Sequence, residues 1–127
     1  MALRYQLFTA SYSAQVLARS GDAGRAAAWV RIIAALRTSE ELGWPAGDPM
    51  CGAWSDASAP PRYVAPVPDM LAPNISATAL AVGALAAAGC ADRGLTARPF
   101  VERCQNFSVN PAKKFDELIL FSIRRDD

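Results

Sequence analysis

A chain of 127 residues with 13 Lys and Arg against 12 Asp and Glu carries a formal net charge of +1, too balanced for attraction to a phosphate backbone, so nucleic acid is not an expected partner. Apolar residues make up 52 %, enough for one core, although alanine supplies so many of them that the core is thinner than the figure implies. The chain has no histidine, which excludes Ser-His-Asp and Cys-His nucleophilic machinery and any histidine zinc ligand.

The start, Met1-Ala2-Leu3-Arg4-Tyr5-Gln6, reaches polar residues before any apolar run, so no signal peptide is expected. A first helix is predicted from about Arg4 to Arg19, with Phe8, Tyr12 and Val16 recurring every four residues on one face, and it stops at Gly21. A second runs from about Arg25 to Arg37 and groups Trp29, Ile33 and Leu36. The short turn Ser20-Gly21-Asp22-Ala23-Gly24 makes the two an antiparallel hairpin.

From Gly43 to Pro73 the composition changes, with seven of the nine prolines together with Trp44, Trp54 and Tyr63. Proline fixes φ and removes backbone donors, so a long loop is predicted, pinned by its aromatic residues. A third helix is expected between an N-cap at Asn74 and a left-handed cap at Gly89. It is uncharged and alanine-rich, and it reads as buried all round, with Ala79, Gly83 and Ala87 giving clearance to a neighbouring helix. Gly83 costs about 1 kcal/mol of helix propensity relative to alanine, which close packing has to offset. The uncharged stretch from Met70 to Ala91 is interrupted by Pro73 and Asn74 and is poor in Leu and Ile, so no membrane span is expected. A fourth helix, about Thr96 to Asn106, buries Phe100, Val101 and Cys104, and Pro99 is tolerated in its first turn.

Cys51, Cys90 and Cys104 are an odd number without C-x-x-C spacing, so neither a disulfide framework nor a zinc knuckle is indicated, and a reducing, cytoplasmic setting is expected. The sequons at Asn74 and Asn106 are read as helix-end polar residues. Trp29, Trp44, Trp54 and Phe100 are candidates to line a cavity that stabilises a cation, and the favoured reading makes Trp29 and Phe100 core anchors and Trp44 and Trp54 loop pins. Cys51 has nothing basic beside it in the sequence and is read as incidental.

The two hairpins are internally similar. Leu17-Ala18-Arg19-Ser20-Gly21 corresponds to Leu85-Ala86-Ala87-Ala88-Gly89, and Ala26-Ala27-Ala28-Trp29-Val30 to Ala97-Arg98-Pro99-Phe100-Val101. Ala97, Phe100, Val101 and Gln105, with Arg25, Ala26, Trp29 and Val30 and a Gly52-Ala53-Trp54 end to the first copy, resemble the repeat of the terpenoid cyclase and protein prenyltransferase superfamily, particularly its squalene-cyclase-like members. The likeness spans about residues 5 to 110. It departs from the pattern at Ala34, where glutamine is expected, and after Gln105, where Phe115-Asp116-Glu117-Leu118-Ile119-Leu120-Phe121 replaces a glycine-rich turn.

The resemblance implies an all-α fold of α/α-toroid-type hairpins, about two of them in an incomplete ring, with the proline-rich loop between. One partial repeat domain is expected over 1–127: hairpin 5–38, loop 43–73, hairpin 74–107 and irregular tail 108–127. Such a ring needs several hairpins, so the chain is either a fragment or degenerate remnant, including a truncated or frameshifted copy without function, or it associates with copies of itself or another helical repeat chain.

Cyclase chemistry of that family needs a D-x-D-D type acid, and Asp116-Glu117 and Asp126-Asp127 are only adjacent acids. No glycine-rich loop has the phosphate-cradling lysine and spacing. The expected function is therefore non-catalytic, a repeat protein or fragment that binds an apolar, isoprenoid-like ligand or a partner helical repeat. The alternative is part of an isoprenoid-processing enzyme whose catalytic acid lies on another chain. No residue is assigned a catalytic, cofactor or metal role; Ala26, Trp29, Val30, Gly52, Trp54, Ala97, Phe100, Val101 and Gln105 are assigned as structural repeat positions.

Overall fold

The computed structural model describes residues 6–105. These form four α-helices, α1 (Gln6–Arg19), α2 (Ala23–Ala35), α3 (Ile75–Ala87) and α4 (Arg98–Cys104), with 3-10 segments at Glu40–Leu42 and Ala91–Ala97. Among the described residues the fold is all-helical, and its one extended pairing is an isolated antiparallel bridge between Arg37 and Trp54. The predicted tail and the end of the fourth helix at Asn106 lie outside the described residues, as do Arg4 and Tyr5.

Helix α1 is the centre of the packing, laid against both α2 and α3, which touch each other only slightly. Its buried residues are Leu7, Ala10, Ser11 and Ala14, a helical i, i+3, i+4, i+7 set. The apolar stripe spaced at four residues lies on the outer side, with Phe8 36 %, Tyr12 60 % and Val16 63 % exposed. Alanine explains the choice. Ala10 and Ala14 meet a core containing Ala77, Ala81 and Ala84 of α3, all fully buried, and methyl groups on both sides let the backbones approach. Turning α1 to bury its aromatic stripe would hold the helices apart and forfeit that contact. The arrangement leaves the Ser11 hydroxyl buried without a hydrogen-bond partner.

Helix α3 is correspondingly one-sided. Ala77, Thr78, Ala81, Ala84 and Leu85 are buried, while Ala79, Gly83 and Ala87 are exposed. The small residues that pack, Ala77, Ala81 and Ala84, thus lie on the opposite side of the helix from those expected, and a Cβ on Gly83 would meet nothing within 4 Å.

The helix ends follow local rules. Asp22 caps α2 by accepting from the Arg25 N–H at 3.1 Å, and Asn74 caps α3 by accepting from the Ala77 N–H at 2.8 Å. The Asn74 amide also donates to Asp56 Oδ2 at 3.1 Å. Helices α1 and α3 close with the same motif. At Gly21 (φ +86°) the Asp22 N–H reaches the Leu17 carbonyl at 2.8 Å and the Gly21 N–H reaches Ala18. At Gly89 (φ +80°) the Cys90 N–H reaches Leu85 at 2.7 Å and the Gly89 N–H reaches Ala86. Both are Schellman caps, and the Leu-Ala-x-x-Gly correspondence between the two halves is their shared signature.

After Gly89 the chain returns along α3 as the 3-10 segment Ala91–Ala97 rather than entering the fourth helix at once. Buried Gly94 lies so close to Val82 that a Cβ there would be 3.2 Å from its methyl. Helix α4 is shorter than expected, has Pro99 in its first turn and buries Phe100 and Cys104.

Candidate functional site

Of the residues assigned to the repeat, all but Gln105 are buried or half-buried. Ala26 and Val30 on α2 are buried and Trp29 is half-buried against the core; Ala97 and Phe100 are buried, Val101 is half-buried and Gln105 is exposed. The two copies therefore differ in register at the aromatic-aliphatic pair. The first turns its aliphatic residue inward, and the second its aromatic. Gly52 and Trp54 are both buried, and the Trp54 indole donates to the Ile33 carbonyl at 2.8 Å, joining the loop to the last turn of α2.

Three threonines secure that loop. The Thr38 hydroxyl accepts from the Gly52 N–H at 2.9 Å and the Ala53 N–H at 3.1 Å, and donates to the Met50 carbonyl at 2.6 Å. The Trp54 N–H donates to the Thr78 hydroxyl at 3.1 Å, and the Thr96 hydroxyl donates to the Gly52 carbonyl at 2.9 Å. One loop segment, 50–54, is thereby tied to the end of α2, the first turn of α3 and the 3-10 segment before α4. Hydroxyls at these points satisfy loop amides and carbonyls that lack a secondary-structure partner. Threonine gave no sequence signal for this, because each partner lies far along the chain.

Trp44 holds the remainder of the loop. Its indole donates to the Pro61 carbonyl at 2.7 Å, and its ring meets Tyr63 edge-on with centroids 5.1 Å apart. Both loop tryptophans are buried and hydrogen-bonded within the protein, so neither offers a free π face to a bound cation.

Two concavities lie among the described residues. The first, about 520 Å³, is a surface groove where the C-terminal ends of α1 and α3 come alongside α2, and both cap glycines, Gly21 and Gly89, line it. Its floor is small and apolar, from Ala18, Ala26, Val30 and Ala88, and its only charged lining residues are Arg31 and Arg93. The volume falls in the ordinary range of small-molecule sites. The second, about 490 Å³, is lined by Arg37, Glu40, Glu41, Asp48 and Cys51 beside Thr38 and Gly52. Burial, followed by the negative charge of Glu40, pushes the Cys51 thiol above its ordinary pKa; Asp48 and Glu41 act in the same direction and Arg37 opposes them. A thiol held protonated by burial and by acidic neighbours is a poor nucleophile.

Among the described residues no three His, Cys, Asp or Glu side chains are grouped to hold a metal ion, and no helix is long and apolar enough to cross a membrane. The chain matches no family model, no curated protein and no solved structure.

Proposed function

We propose that this chain is a non-catalytic helical-repeat protein, or a portion of one, of the squalene-cyclase and prenyltransferase type, which binds an apolar ligand in the groove between its two glycine caps. The observation that carries the reading is the groove: two equivalent helix ends are brought to one place, and the lining is mostly alanine and glycine, which leave room, rather than leucine, which would fill it. The repeat positions Ala26, Trp29, Ala97 and Phe100 lend support as the packing behind such a surface, arranged as toroid-type hairpins around the proline-rich loop. Cys51, Cys90 and Cys104 are free thiols, which fits a reducing, cytoplasmic setting. Displacement of an environment-sensitive hydrophobic dye by dodecanol tests the reading. The dye should bind the wild-type chain and lose its site in Ala27→Phe, which fills the groove from an exposed position; dye binding unchanged by that substitution overturns it.

A second reading, association with another copy or another helical repeat, is favoured by one separate feature, the exposed Phe8, Tyr12 and Val16 stripe on α1. A melting midpoint that rises with protein concentration, and ceases to do so in Tyr12→Glu/Val16→Glu, is the result this reading requires.

A further inference from the structure

The apolar-groove reading above leaves Arg31 and Arg93 unexplained, and the following inference rests on that reading. Both side chains are exposed at the rim of the groove, one on α2 and one on the Ala91–Ala97 segment, and no Asp or Glu lines it. Among the described residues the ion pairs join Arg25 to Asp22 and Arg98 to Glu102, so neither rim arginine is neutralised by a carboxylate there. Two exposed arginines lining a groove that is otherwise alanine-rich make a site that is both apolar and cationic. A hydrocarbon alone would use only the floor.

We infer that the occupant is a single-chain carboxylate amphiphile, its hydrocarbon on the Ala18, Ala26, Val30 and Ala88 floor and its head group held by Arg31 and Arg93. Charge complementarity selects an anionic head, and the planar guanidinium fork matches a planar carboxylate through paired N–H donors. The groove is open at the surface, so the head group stays near water while the chain is sheltered, which avoids the cost of a buried charge.

The test compares dodecanoate, dodecanol and dodecyl phosphate, each below its micelle concentration, by calorimetric titration of the full chain. Measurements use the wild type and Arg31→Gln/Arg93→Gln, both of whose positions are exposed, with far-ultraviolet circular dichroism to verify unchanged helix content. Dodecanoate should bind wild type at least tenfold tighter than dodecanol, and the double substitution should bring the two to parity. Equal binding of acid and alcohol by wild type overturns the anionic head group while leaving the apolar groove intact. Binding of none of the three overturns the groove reading and this inference together. A preference for dodecanoate that survives the double substitution places the head group elsewhere and overturns the assignment. Dodecyl phosphate binding more than tenfold tighter than dodecanoate replaces the carboxylate by a phosphomonoester and overturns the ligand class.

Discussion

Gly52 and Thr96 are in direct contact: the Thr96 hydroxyl donates to the Gly52 carbonyl at 2.9 Å, and a Cβ on Gly52 would lie 2.5 Å from the Thr96 carbonyl oxygen. Gly52 also has φ +98°, a region disfavoured for residues with a side chain. Two independent costs therefore oppose any substitution, the strained dihedral and displacement of the 3-10 segment. Gly52→Ala should destabilise the fold by about 3 kcal/mol or more, read as a shift in the urea midpoint. An effect under about 1 kcal/mol would show that the two segments can separate freely.

Thr38 makes a sharper test, because its side chain can be changed without altering volume much. Thr38→Val leaves the Ala53 N–H and the Met50 carbonyl without their hydroxyl partner in a buried setting, whereas Gly52 N–H keeps the Thr38 carbonyl at 2.8 Å. The expected loss is about 2–4 kcal/mol. Thr38→Ser retains the hydroxyl and should lose much less; equal losses in the two variants would assign the effect to the methyl group rather than to hydrogen bonding.

What the sequence reveals of this fold divides by range. Asn74, Gly21, Gly89 and Pro99 act within one helical turn, so residue chemistry alone identifies their roles. The burial of Trp44 and Trp54 was also readable, since large aromatics in a proline-rich stretch have little else to stabilise them. The face of α1 was not, because Phe8-Tyr12-Val16 and Leu7-Ala10-Ala14 both have helical spacing and the partner helix decides between them. Side-chain size favours the first stripe, and close backbone approach against an alanine-rich α3 favours the second. The groove was equally hidden: Gly21 and Gly89 could be recognised as equivalent caps, but only the antiparallel and parallel placement of whole helices brings them to one wall. The threonine ties of segment 50–54 join residues 12 to 44 positions apart and have no local signature.

Gly83 illustrates a residue whose expected purpose the fold withdraws. It lies inside α3 on the exposed side, with open space where its Cβ would be. Nothing then offsets its entropic cost, and Gly83→Ala should stabilise the protein by about 0.5–1 kcal/mol. Thermal and urea melts at low protein concentration measure this directly. A loss of stability would mean that a partner or another copy packs on this side of α3.

Cys51 connects stability to pH through its raised thiol pKa, caused first by burial and then by Glu40. The folded state holds this proton more tightly than the unfolded chain does, so the contribution is fully present below the unfolded thiol value of about 8.5. It is lost as pH rises through the folded value, because the unfolded chain then releases a proton that the folded one retains. Other groups titrate in the same range, so the informative quantity is the difference between wild type and Cys51→Ala. The wild-type urea midpoint should fall relative to the variant between pH 8 and 10, and parallel curves would remove the coupling. The same shift predicts slow alkylation. At pH 8 iodoacetamide should modify Cys51 in the native protein more slowly than in urea, because less of the reactive thiolate is present. Peptide mass spectrometry separates Cys51 from Cys90 and Cys104. Native alkylation as fast as in the unfolded chain would mean that the acidic wall of Glu40, Glu41 and Asp48 does not govern the thiol.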